Sequence, residues 1–338
     1  MFAIEITEAG GPEVLRWNEV PDPTVGAGEV LIKVAATAVN RADVMQRRGL
    51  YPPPPGASDI PGLECSGVIA AVGDPNPGGW QVGDRVCALL AGGGYAEYVA
   101  VPAGQVLPIP DGLGFIEAAG LVEVAATVWS NLVTVAGLTA GQTVLIHGGA
   151  GGIGTMAIQV AAALGATVAV TAGSARGLEL CEQLGARILV NYREEDFVER
   201  IAQETSGRGV EVILDVMGAK YLSRNISALA DGGHLVVIGM QGGVKAELDL
   251  GSLMAKRASV TATALRSRPV EGPGSKSEII SQLREHLWDK VAAGEVLPIV
   301  GAQIPLADAA DGHRLMESGD APGGKIVLTA DASARMEP

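Results

Sequence analysis

The sequence predicts an α/β chain built on a doubly wound parallel sheet, with a separate β-rich domain ahead of it. Three observations carry this. Residues 143–264 alternate strand-like apolar runs with helical spacing, which implies βαβ crossovers and a parallel sheet. The first of those runs ends in a dense glycine turn. The first 120 residues instead read as short strands between Gly and Pro punctuation.

In the middle segment, strands are predicted at 143–147, 167–172, 187–191, 210–215, 233–239 and 259–264, with helices at 153–164, 176–184, 195–205 and 219–229. Six parallel strands suit a Rossmann dinucleotide fold, whose ligand lies at the carboxyl ends of the strands. The turn Gly149-Ala150-Gly151-Gly152-Ile153-Gly154 fits G-x-G-x-x-G between strand and helix, where glycines let the backbone approach a pyrophosphate and the helix N-terminus offers unpaired N–H groups. A ligand-free glycine turn is the structural alternative. After the 167–172 strand, where an NAD-binding fold carries Asp or Glu about 20 residues past the glycines, no acid stands. Ser174 and Arg176 stand there instead and suit a 2′-phosphate, so NADPH is the expected cofactor. The alternative is that Ser174 caps the next helix and Arg176 is a solvated charge.

In the N-terminal part the clearest strands are 29–34, 67–72, 84–87 and 95–99, and residues 116–137 are apolar and expected to be helical. Near the end, Ser275 and Glu278 resemble a capping box before a helix whose Ile279, Leu283, Leu287 and Val291 form one apolar stripe. Residues 325–329 form a last strand, expected to return to the N-terminal domain, and the tail from Ala330 is expected to fray.

Composition narrows the function. The 338 residues carry a formal charge of −14, which argues against nucleic acid and against an anionic membrane surface. No apolar run reaches the ~18 residues that span a bilayer, and the N-terminus lacks a signal-peptide core, so the protein is expected in the cytoplasm. Cys65, Cys87 and Cys181 are too scattered for a disulfide framework or a C-x-x-C metal site.

Several strings then resemble the zinc-independent quinone oxidoreductases of the medium-chain dehydrogenase/reductase superfamily, which include zeta-crystallin. They are Gly10-Gly-Pro-Glu-Val-Leu15, Asn40-Arg-Ala-Asp43, Pro61-Gly-Leu-Glu-Cys-Ser-Gly67, the 145–154 glycine turn and Thr171-Ala-Gly-Ser174. The run 40–56 and Leu265-Arg-Ser-Arg268 look most like the stress-inducible human-type subgroup. The resemblance implies a GroES-like β-rich catalytic domain over residues 1–123 and 266–338, and a Rossmann NADPH-binding domain over 124–265. It also implies that no zinc takes part. Relatives that use zinc have Cys where Asn40 stands and His where Leu63 stands, and residues 88–105 hold no Cys for a structural zinc.

By the same resemblance the cofactor carries the chemistry, donating hydride to a small-molecule quinone or enone. Asn40 lines the nicotinamide site and Tyr51 overlooks the substrate slot with a phenol that can donate a hydrogen bond. Thr127 sits beside the nicotinamide, Tyr192 near the adenosine phosphate, and Gly239 and Met240 border the nicotinamide. Leu265 and Arg266 belong to a covering loop, with Arg266 and Arg268 as phosphate or substrate-mouth cations, and Lys325 falls among the cofactor contacts. Structural alternatives stand beside these roles: a turn amide for Asn40, loop packing for Tyr51, a helical core residue for Thr127 and edge packing for Tyr192. The chain departs from the subgroup at Gly177, where Lys is usual, and at Pro322, near which Asn is usual. Three functions remain open. They are a quinone reductase, an enoyl-thioester or alkenal reductase using Tyr51 as proton donor, and a nucleotide-binding regulatory or lens-type structural protein. A homodimer paired through the 259–264 strand is expected.

Overall fold

The computed structural model describes residues 1–319 and 321–330, so the expected fraying of the tail lies outside the described residues. The chain forms two compact units, Met1–Ala126 with Leu265–Pro338, and Thr127–Ala264.

The second unit is a six-stranded, all-parallel sheet. Its spatial order is Ile188–Asn191, Thr167–Ala172, Thr143–His147, Val210–Asp215, Leu229–Val237, Ser259–Ala262. In chain order this is 3-2-1-4-5-6, the dinucleotide-binding arrangement, with its switch point between Thr143–His147 and Val210–Asp215. Parallel strands covered on both faces bury nearly every side chain, which is why Leu145, Ala169, Ile213 and Leu235 form one core with little alternation in the sequence. The helices Gly152–Ala163, Ala175–Gln183, Phe197–Glu204 and Leu222–Ala228 fall where their spacing predicts, within a few residues at each end. A further short helix, Leu250–Ala255, buries none of its residues.

The first unit is a twisted, mostly antiparallel sheet in the order Val300–Pro305, Lys325–Thr329, Glu29–Val39, Glu64–Val72, Arg85–Leu89, Val106–Pro108, with Tyr98–Pro102 also paired to Glu29–Val39. The last strand does return here, Ile326 opposite Val39. Inward residues Val30, Ile32, Ile69, Val86 and Val106 fill its core. One expected strand moves. Tyr95 and Ala96 do not join the main ladder, because the positive-φ glycines Gly92 and Gly93 turn the chain and Tyr95 N–H donates to Pro61 O at 2.9 Å. Ala96 instead bridges Ala3 of Phe2–Ile6, which pairs antiparallel with Leu15–Glu19.

Ser275 accepts the Glu278 N–H at 3.1 Å as a capping residue should, but Glu278 answers on Gly274 N–H rather than on Ser275. All four stripe residues are buried, although the helix runs Lys276–His286 and restarts as Trp288–Ala292. Among the described residues no helix is long and apolar enough to cross a membrane.

Candidate active site

In the second unit, the Thr143–His147 strand opens into Gly148 at φ 73° and the helix starts at Gly152 with Gly151 as N-cap. The three motif glycines have different reasons to be glycine. A Cβ on Gly149 would lie 2.8 Å from Cys181 Sγ, and one on Gly154 would lie 2.3 Å from Gly148 O. Both are demanded by packing. On Gly151 the nearest atom would be Gly148 O at 3.5 Å, an ordinary contact, so no protein atom fills the space its missing side chain leaves. The first-turn N–H groups of Gly152, Ile153 and Gly154 lack intrahelical partners, and no side chain caps them. With Ala150 in the turn, this is a backbone cradle for an anion.

The next strand, Thr167–Ala172, leads into Ser174 and Arg176. Ser174 does cap the following helix, accepting Gly177 N–H at 3.2 Å, which leaves its own hydroxyl proton to donate. Arg176 is exposed and makes no ion pair among the described residues. A side chain at Gly177 would meet Ala150 Cβ at 3.1 Å and Ser174 Oγ at 3.2 Å, so the turn packs against this position and leaves little room for the subgroup's lysine. Tyr192 is half exposed, and its hydroxyl covers Gly173, where a Cβ would lie 2.4 Å away. Ser174 and Arg176 thus follow the end of Thr167–Ala172, and Tyr192 follows the end of its parallel neighbour Ile188–Asn191.

At the switch point, buried Asp215 accepts the N–H groups of Met217 at 2.7 Å and Gly218 at 3.0 Å, and burial pushes its carboxyl up to about 6. Gly239 packs on Val216, to whose carbonyl a Cβ would come within 2.8 Å, and Met240 beside it is exposed. Thr127 is buried, its carbonyl accepting Asn131 Nδ2 at 2.7 Å.

The first unit holds a second cluster. Asn40 ends the Glu29–Val39 strand as N-cap of the Arg41–Arg47 helix. Lys325 Nζ lies 2.6 Å from Asn40 Oδ1 and 2.7 Å from Glu64 Oε1, while Asn40 Nδ2 donates to the same Glu64 oxygen at 3.1 Å. Glu64 Oε2 accepts Glu123 N–H at 3.0 Å. Asn40, Glu64 and Lys325 are all buried, so an ion pair and an amide close on one another. Asp43, one helical turn on, accepts Asn40 N–H at 2.8 Å and Gly62 N–H at 2.9 Å, and burial pushes it up to about 6.

Arg266, expected as a phosphate or substrate-mouth cation, and Lys325, expected among the cofactor contacts, are both buried and hydrogen-bonded within the protein. Arg266 turns inward, donating to Ala91 O at 2.7 Å and Gln46 Oε1 at 2.7 Å, with its guanidinium 5.6 Å from the centre of the Tyr51 ring. Lys325 spends its charge on Glu64. Arg268 is also engaged, on Gly274 O at 3.0 Å, and Leu265 is half-buried. The Tyr51 hydroxyl has no protein partner among the described residues, and partial burial raises its pKa, opposed by Arg266. Among the described residues, no three His, Cys, Asp or Glu side chains group as metal ligands.

Residues 26–111 match the alcohol dehydrogenase GroES-like domain, and residues 152–281 match the zinc-binding dehydrogenase family. The human quinone oxidoreductase is 33% identical over 330 residues, 97% of each chain. The chain belongs to the quinone oxidoreductase family of medium-chain dehydrogenases/reductases. It is thus an oxidoreductase, with the GroES-like and Rossmann parts of that superfamily. The Escherichia coli quinone oxidoreductase solved with NADPH is 31% identical, covering 97% of this chain and all of its own, at a TM-score of 0.87. The CurK enoyl reductase is 30% identical over 97% of this chain and 98% of its own, at a TM-score of 0.85.

Proposed function

We propose that this chain uses NADPH to reduce quinones by direct hydride transfer, with no metal ion. The observation that carries the cofactor is Arg176, exposed and without an ion pair among the described residues, beyond a strand end that holds no carboxylate. It would take the 2′-phosphate with Ser174 Oγ and Tyr192, while the N–H groups of Ala150 and of Gly152 to Gly154 take the pyrophosphate. Gly151 stays open for that approach. Thr127, Gly239 and Met240 would border the nicotinamide. Solved relatives that carry NADPH support the same cofactor.

When bound, NADPH supplies the hydride, and the chain's residues orient and stabilise. Asn40, fixed from both sides by Glu64 and Lys325, would present a rigid amide to the nicotinamide site. Tyr51, stacked against Arg266, would donate its free hydroxyl to a substrate oxygen; the raised pKa keeps that proton in place at neutral pH. The metal-free reading is supported by the donor set. Asn40 and Leu63 are poor zinc ligands, and the Lys325 ammonium beside Glu64 already supplies the cation there.

A second reading, reduction of an enoyl thioester or alkenal, has its own support in the likeness to an enoyl reductase and in the free Tyr51 hydroxyl, which would protonate the α-carbon. NADPH oxidation followed with a para-quinone, an ortho-quinone, an alkenal and a crotonyl thioester decides between them. Faster turnover of either quinone supports the first reading, and thioester turnover exceeding both quinones rejects it.

We also infer a homodimer through the free edge of Ser259–Ala262. Leu250 and Met254, exposed on a helix that buries nothing, support an apolar contact beside that edge. Light scattering that reports a monomer at micromolar concentration would reject it.

A further inference from the structure

The cradle is held from beneath by a buried polar relay. Gly148 N–H donates to Thr171 Oγ1 at 3.4 Å, and that hydroxyl lies 3.1 Å from His147 Nδ1. His147 Nε2 lies 2.8 Å from Asn225 Oδ1. Thr171 has one hydroxyl proton, and one assignment satisfies every link. With the imidazole proton on Nε2, the ring donates to Asn225, Nδ1 accepts from Thr171, and the Thr171 oxygen accepts from Gly148. His147, Thr171 and Asn225 are all buried, and among the described residues Asn225 Nδ2 has no partner, so the side-chain amide is held at Oδ1 alone, by the imidazole. Phe197 and Tyr221 meet the ring edge-on, each with its centroid 4.9 Å away, and fix its plane.

Thr171 also accepts Gly149 N–H on its carbonyl at 2.9 Å. It thereby fixes two successive N–H groups of the turn, and it lies three residues before Ser174, the cap of the helix that follows its strand. Gly148 has no side chain to pack, so this bond and the Gly151 N–H to Gly148 O bond at 3.0 Å define how the turn faces.

We propose that His147 is a positioning residue for the cofactor turn, acting through the Thr171 hydroxyl, and that the pair sets affinity for the pyrophosphate common to NADPH and NADH. This rests on the dinucleotide reading above. Neither side chain belongs to the cradle that would meet the ligand; they govern it from behind.

Thr171→Val keeps the shape and the strand preference while removing the hydroxyl. Titration by nucleotide fluorescence should show the dissociation constants of NADPH and NADH both rising about tenfold, with kcat at saturation within about twofold. Thr171→Ser should return to within about threefold of the parent. His147→Phe, which keeps the aromatic packing, should match Thr171→Val, and the double variant should bind no worse than either single one. Parent-like binding by Thr171→Val overturns the proposal, as does a fall in Tm without weaker binding or a loss confined to NADPH. A parent protein that binds neither nucleotide overturns the dinucleotide reading itself, a result distinct from all of these.

Discussion

Replacing Lys325 with Met tests whether Asn40 is held by a buried ion pair. Lys325 and Glu64 have side-chain exposures of 5% and 1% at a separation of 2.7 Å, so neither charge has water to fall back on. Removing one partner of such a pair costs about 3–5 kcal/mol, because the other charge stays buried and uncompensated. For a unit of this size each kcal/mol shifts Tm by about 2–4 °C, which gives a fall of roughly 6–20 °C for Lys325→Met. Glu64→Leu should lose at least as much, since it also frees the Glu123 N–H. The double variant Glu64→Leu/Lys325→Met removes both charges and should recover about 2 kcal/mol or more against the sum of the single losses. Chemical denaturation read by fluorescence gives all three values. A Lys325→Met loss below about 1 kcal/mol, or strictly additive losses, would refute the reasoning.

Arg176→Ala removes one charged hydrogen bond of about 1.5–3 kcal/mol, so kcat/KM for NADPH should fall by about one to two decades while NADH use barely changes. Equal losses would show that Arg176 does not read the 2′-phosphate. Tyr51→Phe separates the acceptors: loss of a proton donor should cost enoyl reduction about 100-fold or more and quinone reduction less than about tenfold. Burial pulls His147 down to about 4 and His313 to about 3, below the ordinary 6.5. Both are therefore neutral in the fold, and the stability they contribute is complete above pH 6.5 and lost as pH falls through 6.5 toward those values. Asp43 and Asp215, each pushed up to about 6, act in the opposite sense between pH 6 and 3.8. Ring resonances of both histidines should stay at the neutral position from pH 7.5 to 5, and a midpoint near 6.5 would contradict their burial.

The dinucleotide unit is legible in the sequence because its signals are local. Each strand of residues 143–215 is an apolar run closed by a turn, and the Gly149 and Gly154 requirements are packing contacts within about 30 residues. Leu229–Val237 is less regular, since Asp231, Gly232 and Gly233 interrupt its apolar pattern. The β-rich unit is only partly legible: Tyr95 has β character, yet its long-range bonds to Pro61, Asp43 and His313 decide its path. The Asn40, Glu64 and Lys325 cluster has no sequence signature, because its members come from positions 24 and 285 residues apart. The partners of Arg266 are hidden for the same reason. A loop arginine expected as a phosphate or substrate-mouth cation is held by Gln46 and Ala91, which are distant in the chain. The His147 and Thr171 relay hides in two strand ends, where a polar residue reads as ordinary.

The central claim is that hydride passes from NADPH to a quinone with no metal ion. Protein dialysed against a strong chelator, shown metal-free by elemental analysis, should oxidise NADPH with a quinone at its original rate. Activity lost on chelation and restored by zinc would contradict it.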